Sequence, residues 1–271
     1  MKIVIFGATG MLGTYVSSLL SKKYQVLKIT RQDYDLTDLN INILRVVFRD
    51  NDISSNDIII NCAGVIPQQK SPSKRDFYKI NSLFPVILSM ICYYEIECKM
   101  IHITTDCVFD GKKTGEYDET SIHTETNDYG ISKSLGEICD ATIIRTSIIG
   151  EQLHDKYSLL EWVKSNKGGT INGYVNHYWN GVTCLELAKY IEDIIVNNKY
   201  WYGVRHIMCE KPVSKYELLC MINEIYDLNI CINKTETNII DKTLNSVYEN
   251  STRKNIYDQI KEQSDYDLMQ L

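Results

Sequence analysis

The sequence predicts an α/β fold: a doubly wound parallel sheet with a smaller C-terminal lobe. Three observations predict it. Short apolar, β-branched runs recur at 2–6 (KIVIF), 25–29 (QVLKI), 57–62 (DIIINC), 99–105 (KMIHITT) and 141–149 (ATIIRTSII). Stretches of helical spacing separate them. The first run ends in a glycine-rich turn, with Gly7, Gly10 and Gly13 opening the next helix.

Each element has a local reason. Residues 2–6 are continuously apolar, as a strand buried on both faces must be. Met11, Leu12, Tyr15, Val16, Leu19 and Leu20 then recur on one helical face. A helix is expected near 38–49, and another from Phe77 to Tyr94 with Pro85 as a kink or break. The segment 106–128 is a long irregular connection rich in Asp, Thr, Gly and Glu, the kind of loop that often carries function. A helix from about Tyr129 to Cys139 and a fifth strand follow. Beyond Gly150 the spacing predicts a short helix at Leu159–Val163 and helices at 184–196 and 214–227. Short strands are expected at 203–208 and 229–233, and the tail after Ser251 shows no clear period. The domain expectation is a nucleotide-binding unit over 1–150. Residues 151–271 then form mainly a substrate lobe, with segments returning to the first unit.

Composition narrows the function. Of 271 residues, 44% are hydrophobic and 24% charged, which is ordinary globular composition. The net charge of -6 gives no global attraction to nucleic acid or to an anionic membrane. The nine cysteines are odd in number and form no CxxC pair. Reduced thiols filling core space are expected, rather than disulfides or structural zinc, and no metal site. The first apolar run is broken at Gly7, and no stretch reaches the roughly 18 apolar residues of a membrane span. A cytoplasmic protein is the expectation.

The glycine turn points to a dinucleotide. Gly7 permits the tight turn, Gly10 lets backbone approach a pyrophosphate, and Gly13 lets the helix lie against the sheet. The helix amides, with Thr9, Met11 and Leu12 around them, would meet the phosphates. At the end of the second strand, Arg31 stands where an acid would select NAD, so it favours NADP through its 2′-phosphate, with NAD as the alternative. Asp35, beside Leu36, serves either the adenine amine or a helix cap. Cys62, Ala63 and Gly64 bring the chain close to the cofactor after the third strand.

Tyr129 and Lys133 are four residues apart at the start of a helix, hence on one face. A nearby ammonium stabilises a phenolate, which makes the tyrosine a competent acid for a carbonyl oxygen gaining charge. Thr105, at the end of the fourth strand, is the third candidate, with Thr104 as fallback. Asp106 and Cys107 follow it toward the substrate. His123 in the long loop and Trp179 in the second lobe, with Tyr178 and Asn180 beside it, are further candidate substrate contacts.

These segments resemble the extended short-chain dehydrogenase/reductase superfamily, with its Rossmann-type fold. More narrowly they resemble the dTDP-4-dehydrorhamnose reductase-like nucleotide-sugar 4-ketoreductases. GATGMLG at 7–13, DLTD at 35–38, NCAG at 61–64, TTDCVFDG at 104–111 and GEY at 115–117 carry the likeness. So do YGISKSLGE at 129–137, RTSIIG at 145–150 and NGVTCLELAKYI at 180–191. The resemblance implies NADPH- or NADH-dependent reduction of the 4-keto group of a UDP- or dTDP-linked 6-deoxyhexose in deoxysugar biosynthesis. It implies Thr105, Tyr129 and Lys133 as catalytic residues and a homodimer. One departure stands out, because the family pattern has tyrosine where this chain has Cys107. GDP-fucose synthases place an epimerising cysteine there, so a combined 3/5-epimerase and 4-reductase is an alternative, though no partner histidine matches and His154 fits poorly. A non-catalytic NADP-binding regulatory subunit is the other alternative.

Overall fold

The computed structural model describes residues 1–69, 72–112, 116–154, 156–249 and 251–268. The first half alternates strands and helices: β1 (Lys2–Phe6), α1 (Met11–Leu20), β2 (Gln25–Ile29), α2 (Ile41–Asp50) and β3 (Ile58–Asn61). A continuous helical run over 74–96 then contains α3 (Lys74–Asp76) and α4 (Phe84–Met90), each followed by wider π-helical turns. Next come β4 (Lys99–Thr105), α5 (Asp128–Gly136), β5 (Thr142–Thr146) and β6 (Ile148–Ile149). The predicted fifth strand is therefore interrupted at Ser147.

The second half holds α6 (Leu159–Ser165), β7 (Thr170–Tyr174), β8 (His177–Trp179), β9 (Val182–Thr183), α7 (Cys184–Val196) and β10 (Gly203–His206). It continues through β11 (Met208–Cys209), β12 (Val213–Ser214), α8 (Lys215–Ile225), β13 (Cys231–Thr235) and β14 (Ile240–Asp241). It closes with β15 (Thr252–Arg253) and α9 (Ile256–Ser264). The last helix was not anticipated. Its sequence is polar overall, but Ile256 and Ile260 are buried and the Gln259 and Gln263 side chains accept from the amides of Thr183 and Leu185. Two isoleucines and two glutamines on one face give too faint an apolar period to read.

Among the described residues, six parallel strands pair in the order β10-β5-β4-β3-β1-β2. Both faces are covered, which explains the unbroken apolar runs. Ile3 and Ile5 enter one core with Ile58, Ile60 and the helix α1, while Val4 and Phe6 enter another with Leu44, Phe84 and Leu88. The crossover geometry brings the carboxyl ends of β1, β3, β4 and β5 to one edge, where ligands bind in such sheets. β10 returns from the second half to pair with β5. No helix among the described residues is long and apolar enough to cross a membrane.

One packing detail positions everything that follows. Pro85 has no N–H to give the Asn81 carbonyl, and the chain there winds as π-helix instead of breaking. The helix α5 lies directly against that carbonyl. A Cβ at Gly136 would stand 2.1 Å from the Asn81 oxygen. Ser82 Oγ donates to the Ser132 carbonyl at 2.7 Å across the same contact. Because the Asn81 carbonyl facing Gly136 is backbone, it cannot yield cheaply. Gly136→Ala should cost about 1–3 kcal/mol, as overpacking does, read as a lowered urea midpoint with an unchanged slope. An unchanged midpoint would show that the helix is not held this closely.

Candidate active site

The glycine turn takes the shape its residues permit. Gly7 has φ of +74° and a Cβ there would lie 2.6 Å from the Ala63 nitrogen. A Cβ at Gly13 would lie 2.1 Å from the Gly7 carbonyl oxygen, whereas one at Gly10 would meet only that oxygen, at 3.3 Å. Gly13 thus serves helix-to-turn packing, and Gly10 leaves open space. The Gly10 cap has no side-chain hydrogen bond to α1, and no acid sits in its first turn. The first amides of α1 therefore stay available to an anion.

Two connected clefts follow from this turn. One, of ≈ 250 Å³, runs past Thr9, Arg31, Leu36, Ala63 and Gly64. The other, of ≈ 340 Å³, runs past Met11, Leu12, Thr105, Asp106, Tyr129 and Lys133. Gly10, Cys62 and Gly64 line both, as do Gln69, Gln152 and Tyr157, which sequence reading did not single out. A cradle of exposed amides, followed by a long cleft with a terminal guanidinium, fits a dinucleotide. Arg31 is exposed and only loosely paired, 3.9 Å from Asp35. Asp35 itself does not line the cleft. Its carboxylate accepts from the amide and hydroxyl of Thr37 at 2.9 and 2.8 Å, capping the short 3-10 turn Leu36–Asp38. Of the two roles considered for it, the cap is the one observed.

Thr105, Tyr129 and Lys133 come together at the inner end. Tyr129 sits on the first turn of α5, against the Phe77 ring at 6.0 Å, with the Thr105 hydroxyl as hydrogen-bonding neighbour. Gly130 beside it has no room for a side chain, since a Cβ would lie 2.5 Å from the Cys107 carbonyl. Burial, helped by the nearby Cys107 and Asp106, pushes the phenol above its usual range. Tyr129 thus holds its proton. Lys133 is buried, and burial pulls its ammonium down to about 8 against the opposing pull of Glu137. Its Nζ sits over Gly64, where a Cβ would come within 2.7 Å.

Asn81 is a residue the sequence reading missed. It is buried, accepts from the Val65 amide at 2.9 Å, and donates to the Val65 carbonyl and the Ser132 hydroxyl. It ties the strand end carrying Gly64 to the helix carrying Lys133. An asparagine inside a helical run gives no periodic signal, so only the fold exposes it. Thr104 does not share the role of Thr105. It points the other way and donates to Glu137 at 2.9 Å.

Two expectations need correction. His123 does not line the cleft. Its Nε2 accepts from Arg145 at 2.7 Å and its Nδ1 lies 2.5 Å from the Ser134 hydroxyl, so it belongs to a polar network beneath the site. Trp179 is buried in the core it shares with the sheet and α1, and Asn180 is buried holding the Leu244 backbone. Tyr178, by contrast, is exposed. Cys107 lines the cleft as expected, and burial and then the Asp106 carboxylate push its thiol up to about 12. His154 lines the Arg31 end of the cleft and so is no partner for it. Gly115 of the quoted GEY segment lies outside the described residues. Among those residues no cluster of acids, histidines and cysteines is placed to hold a metal.

The comparisons decide the family. The family model described as the RmlD substrate binding domain matches residues 1–239. The chain belongs to this family. It thereby takes its place among the NAD(P)H-dependent oxidoreductases of the extended short-chain dehydrogenase/reductase class. It is 28% identical over 241 residues to a dTDP-4-dehydrorhamnose reductase of Aggregatibacter actinomycetemcomitans, covering 82% of this chain and 78% of the relative. Several other curated relatives are matched over only about half their length. A crystal structure of a hypothetical dTDP-4-dehydrorhamnose reductase from Sulfolobus tokodaii superposes with TM-score 0.72 at 26% identity, covering 98% of this chain and 95% of that one. A dTDP-4-dehydrorhamnose reductase from Bacillus anthracis, in complex with NADP, gives TM-score 0.80 at 20% identity, covering 97% and 98%.

The position of Lys133 over Gly64 is directly testable. In Gly64→Ala the new methyl meets the far end of a flexible side chain, so the fold should melt near the wild-type temperature. Displacing the ammonium should weaken NADPH binding about tenfold or more, measured by nicotinamide fluorescence. Wild-type affinity in that variant would remove Lys133 from the cofactor site.

Proposed function

We propose that this chain reduces the 4-keto group of a nucleotide-linked 6-deoxy-4-keto-hexose, carried on dTDP or UDP, with NADPH as the preferred cofactor. One observation carries the reading. A proton-holding Tyr129, the Thr105 hydroxyl and the Lys133 ammonium line one cleft that continues to the α1 amides and Arg31. The named activities of the relatives support it.

The bound nicotinamide would supply hydride to the sugar carbonyl carbon. Thr105 would donate a hydrogen bond to the carbonyl oxygen, leaving its present acceptor Asp106 at 3.1 Å, and so hold the carbon in place. As negative charge grows on that oxygen, Tyr129 would give up its phenolic proton to it. The phenolate left behind would be stabilised by the Lys133 ammonium. A phenol raised by burial is a poor acid alone, so the ammonium and the developing charge are both needed. The small Cys107, protonated in these surroundings, acts in this reading as cleft wall and not as an epimerising base.

Two measurements test this. Nicotinamide absorbance should fall when NADPH meets a dTDP- or UDP-linked 4-keto-6-deoxy sugar. Tyr129→Phe should lower turnover by about 10²–10⁴-fold with NADPH affinity little changed. Silence with every such sugar, or full turnover by the phenylalanine variant, contradicts the proposal. The second concerns pH. Because Lys133 loses its proton near 8 in the free protein, NADPH affinity should fall as pH rises through 8, and Lys133→Met should flatten that slope. A wild-type affinity independent of pH from 7 to 9.5 would contradict the assigned charge.

A further inference from the structure

Beyond Thr105 the cleft reaches residues that the reduction itself does not use. Asp106 is buried, and two lysines from the second lobe face it, Lys242 and Lys215. The small sheet β12-β8-β14 sets them there. Ser214 and Asp241 both register with Tyr178, one on each side of β8. Lys215 and Lys242 are the next residues on the two flanking chains. Because β12 runs antiparallel to β8 and β14 parallel, they continue toward opposite ends of β8, and both lie within electrostatic reach of Asp106. Lys242 runs close under the 104–111 segment, where a Cβ at Gly111 would stand 2.9 Å from its Cγ.

The two ammoniums differ in their partners. Lys242 pairs with Glu125 at 3.5 Å. Lys215, half-buried, has no hydrogen bond or ion pair among the described residues. Its contact is the face of Trp179, 5.1 Å to the ring centre. That explains the buried tryptophan: it supports a cation next to the site instead of meeting a sugar. Asp106 and Cys107 lie within electrostatic reach of Lys215, but no carboxylate comes to ion-pair distance. A partly desolvated ammonium without an anion costs some free energy, which a hydrophobic residue of that size would avoid. Such a group makes physical sense where a ligand brings the anion.

We infer that Lys215, assisted by Lys242, forms an anion subsite that receives the diphosphate of the substrate. The inference rests on the reading above, in which the sugar carbonyl lies at Thr105 and Tyr129. A diphosphate joined to the same sugar ring then falls within a few ångströms of Asp106 and Cys107. Glu125 neutralises one of the two cations, so Lys215 carries the larger share of the attraction.

Calorimetric titration of dTDP, UDP and the corresponding nucleosides into the cofactor-free protein tests this without turnover. Lys215→Met should weaken the better-bound diphosphate about tenfold or more, as loss of a charge-assisted hydrogen bond does. Lys242→Met should weaken it less. NADPH affinity should not change in Lys215→Met, and the free variant should melt no lower than wild type, since a methionine there removes a half-buried charge that has no ion-pair partner among the described residues. A structural lysine would instead lower the melting temperature and leave diphosphate affinity alone, which overturns the inference. The glucose and glucuronate forms of the same nucleotide separate the sources of negative charge. Equal losses for both support the diphosphate, while a loss confined to the glucuronate form assigns Lys215 to a sugar carboxylate and overturns it. A wild type that turns over the 4-keto sugar while Lys215→Met binds diphosphate normally refutes this subsite alone. A wild type that binds no diphosphate refutes the reading above as well.

Discussion

Glu137 and Arg145 face each other inside the protein, with side chains 5% and 2% exposed, and Arg145 grips the carboxylate with two nitrogens at 3.0 and 2.5 Å. Around them Thr104 donates to Glu137, and the guanidinium donates to both His123 and His206. Both histidines must be neutral to accept, and burial duly pulls His206 down to about 4. Loss of either member would leave a buried charge uncompensated, a cost of about 3–5 kcal/mol. The pair joins α5 to the sheet strands β4 and β5. Tyr129, Lys133 and Glu137 follow one another at four-residue steps on one helical face. A helix pinned at Glu137 can turn the other two only toward the end of β4, where Thr105 stands.

The opposite side of α5 is fixed by close backbone approach rather than by charge. Small residues at Gly130, Ser132 and Gly136 let it settle against Cys107 and against the helical run over 74–96. Asn81 links that contact to the glycine strand end under Lys133. The electrostatics of the site follow from this compression. Burial keeps the Tyr129 phenol and the Cys107 thiol protonated and lowers the Lys133 ammonium. The same geometry therefore keeps a proton on both Tyr129 and Cys107.

Much of this was legible in the sequence, for physical reasons that differ by element. The strands β1, β3, β4 and β5 announce themselves because both their faces are buried, while the edge strand β2 is only partly covered. The glycine turn is readable because Gly7 and Gly13 occupy places no side chain could. The Tyr129–Lys133 spacing is a helical period, visible without a structure. What escaped depends on contacts distant in sequence. His123 looked like a loop residue free to touch a ligand until Arg145 supplied its partner. Trp179 looked like a sugar platform until its burial beneath Lys215 emerged. Asn81 and α9 carry polar side chains whose targets are backbone atoms elsewhere in the chain, and no local pattern records such targets.

In the proposed reduction, this clamped helix presents an acid to the carbonyl at the sugar C4 while hydride arrives from the cofactor. The most direct measurement is a single turnover with NADPH deuterated on the transferred face of its nicotinamide, followed by NMR of the product sugar. Deuterium at C4 alone, with none gained at C3 or C5 when the reaction runs in heavy water, is the predicted outcome. Product without deuterium at C4, or solvent deuterium entering the neighbouring carbons, would contradict the account.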